Sequence, residues 1–407
     1  MKKILLPFIV IAILISSCSG SRQNIPTQSN DSPTETNLTN KDSKQVSIIS
    51  TELATTITPS ELPAKLDLPI AGDAPLDYEW SPDGSSLLLG AQNSGSFLIN
   101  ISPDLKKWSI LDTGDSGYQQ TGLRPSWSAD GNWIVYCKAT GTRPVSTNTN
   151  SATGIKQASQ RGLASGIKGP GAYLPIYDVF KIQKDGSGIQ QITQLEADFC
   201  QAKWSSDGKS IAVFWSKDKV NHLGIKPIDG SLQEIVPEIN PGVGSWSPDG
   251  TTLAITGISN TTEGNKLYIV KPDGNSIRQI PGIIGVIGAP EWSGDGKSIV
   301  YMKEDGIYIT DVSGGNHQKL TEGMLYDCQS VLSLDGELIT FSSDRTGEYQ
   351  VYIIRIDGTG LFTYQDSGLN DMNPIWSRDG KRLTFFSHQS NTGGNIVIVP
   401  LSMFTPV

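Results

Sequence analysis

The sequence predicts an all-β fold, a seven-bladed β-propeller of four-stranded antiparallel blades. A phrase of the form Trp-Ser-x-Asp-Gly recurs at 80–84, 127–131, 204–208, 246–250, 292–296 and 376–380, and a seventh copy at 332–336 reads LSLDG. The tryptophan positions are spaced by 47, 77, 42, 46, 40 and 44 residues, and all but the second interval fit one four-stranded blade. No stretch after residue 20 carries a sustained helical apolar stripe, while 43 glycines and 23 prolines suit short strands joined by turns.

The chain opens with a targeting segment. MKK supplies a positive start, and ILLPFIVIAILI is an apolar core too short for a comfortable membrane span. ISSC at 15–18 then resembles a bacterial lipoprotein signal, which makes residues 1–17 a signal peptide and Cys18 the lipidated first residue of the mature chain. Acyl chains at Cys18 would hold the protein on a membrane surface, outside the cytoplasm. In a cell with two membranes, Ser19 favours the outer one; in a cell with one, the site is its outer face. Residues 18–61 are rich in Ser, Thr, Asn and Pro and lack aromatics, the composition of a disordered tether.

Residues 62–407 form the propeller. After each DG comes a β-rich run, such as SLLLGA, SIAVFWS or RLTFFS, and then a second run, such as KLYIVKPDG or QVYIIRIDG. A third short run follows in most units, and the strand ending at the tryptophan completes four. In the phrase itself, Asp bonds back to nearby backbone and Gly accepts positive φ. The tryptophan offers a large apolar surface to a neighbouring blade, with its N–H seeking an acceptor. Six of the nine tryptophans sit in this slot, so the phrase is structural rather than catalytic.

The six WSxDG copies and FSSDRTGEYQVYIIRIDGTG at 341–360 resemble the repeats of the TolB β-propeller family over residues 62–402. The resemblance implies the fold and leaves the job open. TolB itself resembles a six-bladed ring behind an α/β domain. Seven units and a tether here depart from that, which counts against a direct Tol–Pal role.

The last unit lacks an outer strand, and an unclosed ring leaves an edge. In complete units an outer-strand apolar residue lies 11 or 12 before the next tryptophan position, and 12 before Trp80 is Leu68. Residues 64–70 are therefore expected to add the outer strand of the seventh blade.

The long interval places a Gly/Ser/Thr-rich insertion at 141–172, in blade 2, on the face shared by second-to-third loops and blade connections. It holds Arg143, Lys156, Arg161 and Lys168 and no acid. On that face, Asp77, Asp198, Asp327 and Asp371 precede their tryptophan positions and form a candidate acidic collar. With Arg143, Arg161 and His388 they make the candidate ligand face.

The formal charge of −9, or −11 without Lys2 and Lys3, gives no electrostatic footprint for nucleic acid. Once Cys18 is lipidated, Cys137, Cys200 and Cys328 remain, so at most one intramolecular disulfide forms; a 137–200 bridge is open. Some seven-bladed relatives resemble this fold and act as uronate lyases with histidines around a metal. The only histidines are His222, His317 and His388, and repeat phase sets His317 on the opposite face, so no metal site is expected. No nucleophile elbow or P-loop appears, and no cofactor is implied. The leading expectation is a membrane-anchored, non-enzymatic module that binds an envelope protein or peptide. The alternatives are a glycan-binding or lyase-like lipoprotein and a structural scaffold.

Overall fold

The computed structural model describes residues 64–66, 77–92, 96–113, 124–144, 173–235, 239–258, 264–321, 328–364, 370–388 and 394–407. Within them the chain is a ring of seven antiparallel sheets. A first strand, β1 (Ala64–Leu66), precedes the blades. Blade 1 is β2 (Asp77–Trp80), β3 (Leu87–Gln92), β4 (Ser96–Ile101) and β5 (Trp108–Thr113). Blade 2 is β6 (Ser126–Trp127), β7 (Trp133–Pro144), β8 (Tyr173–Gln183) and β9 (Gln190–Gln191). Blade 3 is β10 (Phe199–Trp204), β11 (Ser210–Lys217), β12 (Val220–Pro227) and β13 (Gln233–Ile235). Blade 4 is β14 (Asn240–Trp246), β15 (Leu253–Ile258), β16 (Lys266–Val270) and β17 (Ile277–Ile284). Blade 5 is β18 (Ile287–Trp292), β19 (Ser298–Lys303), β20 (Gly306–Asp311) and β21 (His317–Lys319). Blade 6 has β22 (Cys328–Leu332), β23 (Leu338–Ser343), β24 (Gln350–Arg355) and β25 (Phe362–Thr363). Blade 7 has β26 (Asn370–Trp376), β27 (Arg382–His388) and β28 (Gly394–Pro400).

The repeated phrase builds one turn seven times. In blade 1 the Ser81 hydroxyl donates to Asp83 at 2.6 Å and accepts from the Ser86 N–H at 2.9 Å. Asp83 also accepts the Ser85 N–H at 3.0 Å, and Gly84 takes φ +68°. All seven phrase glycines lie between +67° and +75°, where a Cβ would be strained. The serine, unexplained by sequence reading, is thus half of the turn's wiring.

Alternation within the strands then makes the core. In β3, Leu87 and Leu89 pack toward blade 7 beside Phe386 and Ile396, while Leu88 packs toward blade 2 beside Trp127 and Ile134. Both faces of such a strand are buried, so it reads as an apolar run. Seven clusters of this kind, one per pair of neighbouring blades, complete the ring. The phrase tryptophans tie the blades by hydrogen bonds as well. Trp246 donates to the Lys203 carbonyl at 3.1 Å, Trp292 to that of Ser245 at 3.2 Å, and Trp376 to that of Val331 at 3.0 Å.

Closure follows the expected route and adds a second clasp. β1 pairs antiparallel with β28, Ala64 opposite Ile398, as the outer strand of blade 7. Residues 67–70 of the expected strand lie outside the described residues. After β28 a short 3-10 turn (Leu401–Met403) leads to β29 (Thr405–Pro406), which pairs with β25 as a fifth strand of blade 6. The sequence reading missed this strand, because two residues carry no alternation to read. Phe404, 4% exposed, anchors the tail against Tyr364.

The insertion in blade 2 also differs from expectation. Residues 141–144 continue β7 and pair with 173–176 of β8 after a bulge between Ala139 and Gly141. The hairpin therefore extends four pairs beyond the expected loop start. Residues 145–172, with Lys156, Arg161 and Lys168, lie outside the described residues, as do Cys18 and Asp327.

Candidate functional site

The innermost strands of the blades enclose a cavity of about 580 Å³ along the ring axis. Its walls are set by residues at fixed offsets from the phrase tryptophan. The position just before the tryptophan supplies Glu79, Lys203, Ser245, Glu291, Val331 and Ile375 to the lumen. Blades 1, 3 and 5 thus contribute charge, and blades 6 and 7 contribute apolar surface. Two positions beyond the tryptophan, at the mouth, stand Ser206, Pro248, Gly294, Leu334 and Arg378.

The charges are arranged unevenly. Arg378 lies 3.8 Å from Glu79, both about a third open to the lumen at 34%, and it also donates to the Trp80 carbonyl at 3.4 Å. Arg124 lies 3.7 Å from Asp77 and stacks over the Phe199 ring, 4.6 Å from its centre. Burial pushes the Glu79 carboxyl above the usual range, against the pull of Arg378 and Lys203. Burial raises Glu291 too, opposed by Lys203.

A second cluster sits on the opposite rim, at the root of the insertion. Arg143 bonds Asp198 by a short contact and reaches Asp218 at 3.1 Å. Asp198 also accepts the Asp218 N–H at 3.0 Å, and Lys217 bridges Glu196 at 3.2 Å. Beneath them Cys137 of blade 2 and Cys200 of blade 3 form a disulfide, Cα–Cα 6.0 Å, which settles the pairing that spacing left open.

The anticipated ligand-face residues therefore divide. Arg143 and Asp198 meet. Asp77 turns into the lumen toward Arg124. Asp371 is buried at 2% exposure, its N–H donating to the Tyr349 carbonyl at 2.8 Å. A continuous open collar of acids is thus not what these positions make. His388 ends β27 opposite Asn370 and Gly394 and stacks on Phe386, ring centres 5.4 Å apart. His222 lies within β12, against Trp215 at 4.9 Å and bonded to Glu234 at 2.6 Å, and His317 opens β21. His222 and His388 are both strand residues, paired with Trp215 and Gly394. Among the described residues no three His, Cys, Asp or Glu side chains stand together as metal ligands. Lys203, Glu79 and Glu291 went unnoticed in the sequence. The signal was present: aligning the seven phrases by their tryptophan makes the preceding column the lumen wall.

Residues 243–404 match the PD40 family, described as the TolB beta propeller domain. The repeats within residues 243–404 are of the TolB type. The chain is 31% identical over 151 residues to an uncharacterised protein, Atu1656, of Agrobacterium fabrum, covering 36% of this chain and 50% of that one. It is 25% identical over 162 residues to the Tol-Pal system protein TolB of Francisella tularensis subsp. mediasiatica, covering 37% of this chain and 36% of that one. The chain thus spans half or less of the length of these curated relatives. Among solved structures it is similar to TolB from Acinetobacter baumannii, with a TM-score of 0.46, 17% identity, and 81% and 78% of the two chains covered. Oligogalacturonate lyase from Vibrio parahaemolyticus gives a TM-score of 0.47 at 12% identity, with 79% and 76% covered. Likeness at that level carries no functional argument.

Proposed function

We propose that this TolB-type propeller is an extracytoplasmic binding module for a protein or peptide of the cell envelope, held to the membrane through lipid on Cys18. The observation that carries the reading is the Arg143–Asp198–Asp218 cluster at the blade 2–3 rim, braced by the Cys137–Cys200 bridge. It fixes a charged, rigid root under an insertion that the sequence makes basic, on a chain of net charge −9. Preset charge favours steering and specificity in association. The named role of the Francisella relatives in the Tol-Pal system supports a protein partner without identifying one.

The test is capture from envelope extract by the mature chain, by a version with 145–172 replaced with a short Gly-Ser loop, and by Arg143→Ala. One protein retained by the first bait and lost from the other two is the expected result. Equal retention by all three would remove the rim from the reading. The anchor is tested by fatty-acid labelling, which Cys18→Ala should abolish.

A second reading, a glycan-active propeller, is favoured by Glu79 and Glu291, two carboxyls raised by burial and facing one cavity. Its test is release of reducing ends from acidic glycans, abolished by Glu291→Gln.

A further inference from the structure

The lumen contains two opposite charges that make no direct contact. Asp77 has Arg124 at 3.7 Å and Glu79 has Arg378 at 3.8 Å. Lys203 and Glu291 remain. Among the described residues neither the Lys203 ammonium nor the Glu291 carboxylate has a hydrogen-bond or ion-pair partner, and both line the cavity. They belong to blades 3 and 5. Ser245 of blade 4 stands between them, its hydroxyl turned to the Pro290 carbonyl at 2.6 Å. The two form no direct ion pair, although Lys203 still draws on the Glu291 carboxyl electrostatically.

Two further features point the same way. Facing the charged arc, blades 6 and 7 present Val331 and Ile375. One wall thus carries a cation and an anion, and the other is aliphatic at that level, with Arg378 of blade 7 nearer the mouth. The volume of about 580 Å³ lies within the range of small-molecule sites, about 300–1,000 Å³.

We infer that the lumen binds a small zwitterion with an apolar side chain, the chemistry of a free aliphatic α-amino acid. Its carboxylate meets Lys203, its ammonium meets Glu291, and its side chain lies against Val331 and Ile375. A ligand of either single charge meets one of the two lumen charges and leaves the other with only the longer-range attraction between Lys203 and Glu291. The upward push on Glu291 by burial is the cost such an ammonium would relieve. This site is separate from the rim and does not rest on the protein-binding reading.

The test is isothermal titration calorimetry on the mature chain with L-leucine, leucinamide, 4-methylpentanoate and glycine as probes. Saturable binding of leucine is expected, with each of the other three at least about tenfold weaker, since one lost charge or the lost side chain is worth about 1.4 kcal/mol or more. Lys203→Met and Glu291→Gln should each weaken leucine by at least about tenfold. No leucine binding up to about 10 mM, a free energy of under about 3 kcal/mol, would overturn the inference. So would equal affinity for leucinamide or 4-methylpentanoate, or full affinity in either variant. The probe series uses the unaltered protein, so it decides the matter even if a variant folds poorly.

Discussion

The indole N–H of Trp80, in the first blade, donates to the hydroxyl of Thr384, in the seventh, at 3.0 Å. Trp80 is 2% exposed and Thr384 is fully buried. For Trp246, Trp292 and Trp376 the equivalent indole takes a backbone carbonyl of the preceding blade. At the closure it takes a side chain, which makes the bond removable by one substitution. Thr384→Val leaves a buried donor unmade and should cost about 1–3 kcal/mol in urea denaturation. Thr384→Ser should retain most of the stability, and equal loss in both would show that volume, not the hydrogen bond, matters there.

The Cys137–Cys200 bridge closes 63 residues of chain and joins blades 2 and 3. Replacing both cysteines by alanine should lower stability by about 2–4 kcal/mol, chiefly through the unfolded chain. Denaturant midpoints of the oxidised, reduced and doubly substituted proteins check this. Coincident midpoints for all three would rule out a stabilising bridge.

Phe404 holds the C-terminal strand against blade 6. Phe404→Ala should cost about 3–5 kcal/mol, the range for emptying a buried phenylalanine site. Deleting residues 404–407 should also bare the β25 edge at Phe362 and Thr363. An uncovered edge invites strand pairing between molecules, so light scattering on storage should rise.

Acid should loosen the ring through its turns. Hydrogen bonds from Ser81 and Ser85 lower Asp83 from the ordinary 3.8 to about 2, and those from Ser313 and the Gly315 N–H lower Asp311 likewise. The phrase aspartates Asp130, Asp249, Asp295 and Asp379 are also lowered. A carboxyl whose folded pKa is depressed stabilises the fold while ionised. That contribution is complete above about pH 4 and is lost as pH falls through about 2. The melting temperature should fall across this window, and Asp83→Asn should flatten the fall.

Glu291 has the opposite sign. Its folded pKa is raised by burial, so the folded state binds more protons and the ionised carboxyl opposes folding. The penalty is absent below its ordinary pKa of 4.5 and grows as pH rises. Glu291→Gln should raise the melting temperature at pH 7 and leave it nearly unchanged near pH 4. A lower melting temperature at pH 7 would mean that the carboxylate is compensated within the lumen.

Much of this molecule was legible before any coordinates. Seven phrases at blade spacing predict seven sheets, and the missing outer strand of the last unit predicts a donor within residues 64–70. The C-terminal strand was illegible because its pairing spans from residue 362 to residue 406 and its two residues have no period. The rim was legible in part. Arg143 and Asp198 were marked out singly, but their meeting depends on β7 running on to Pro144.

The sequence by itself determined the repeat, the turn and the alternation of buried residues, because these rest on local φ preferences and a two-residue side-chain period. Only the tertiary structure decided which charges share the lumen. Lys203 and Glu291 are 88 residues apart by numbering, and nothing local relates them. Closing seven blades into a ring turns one column of the repeat inward, and only then do a lysine, a glutamate and two aliphatic side chains face one cavity.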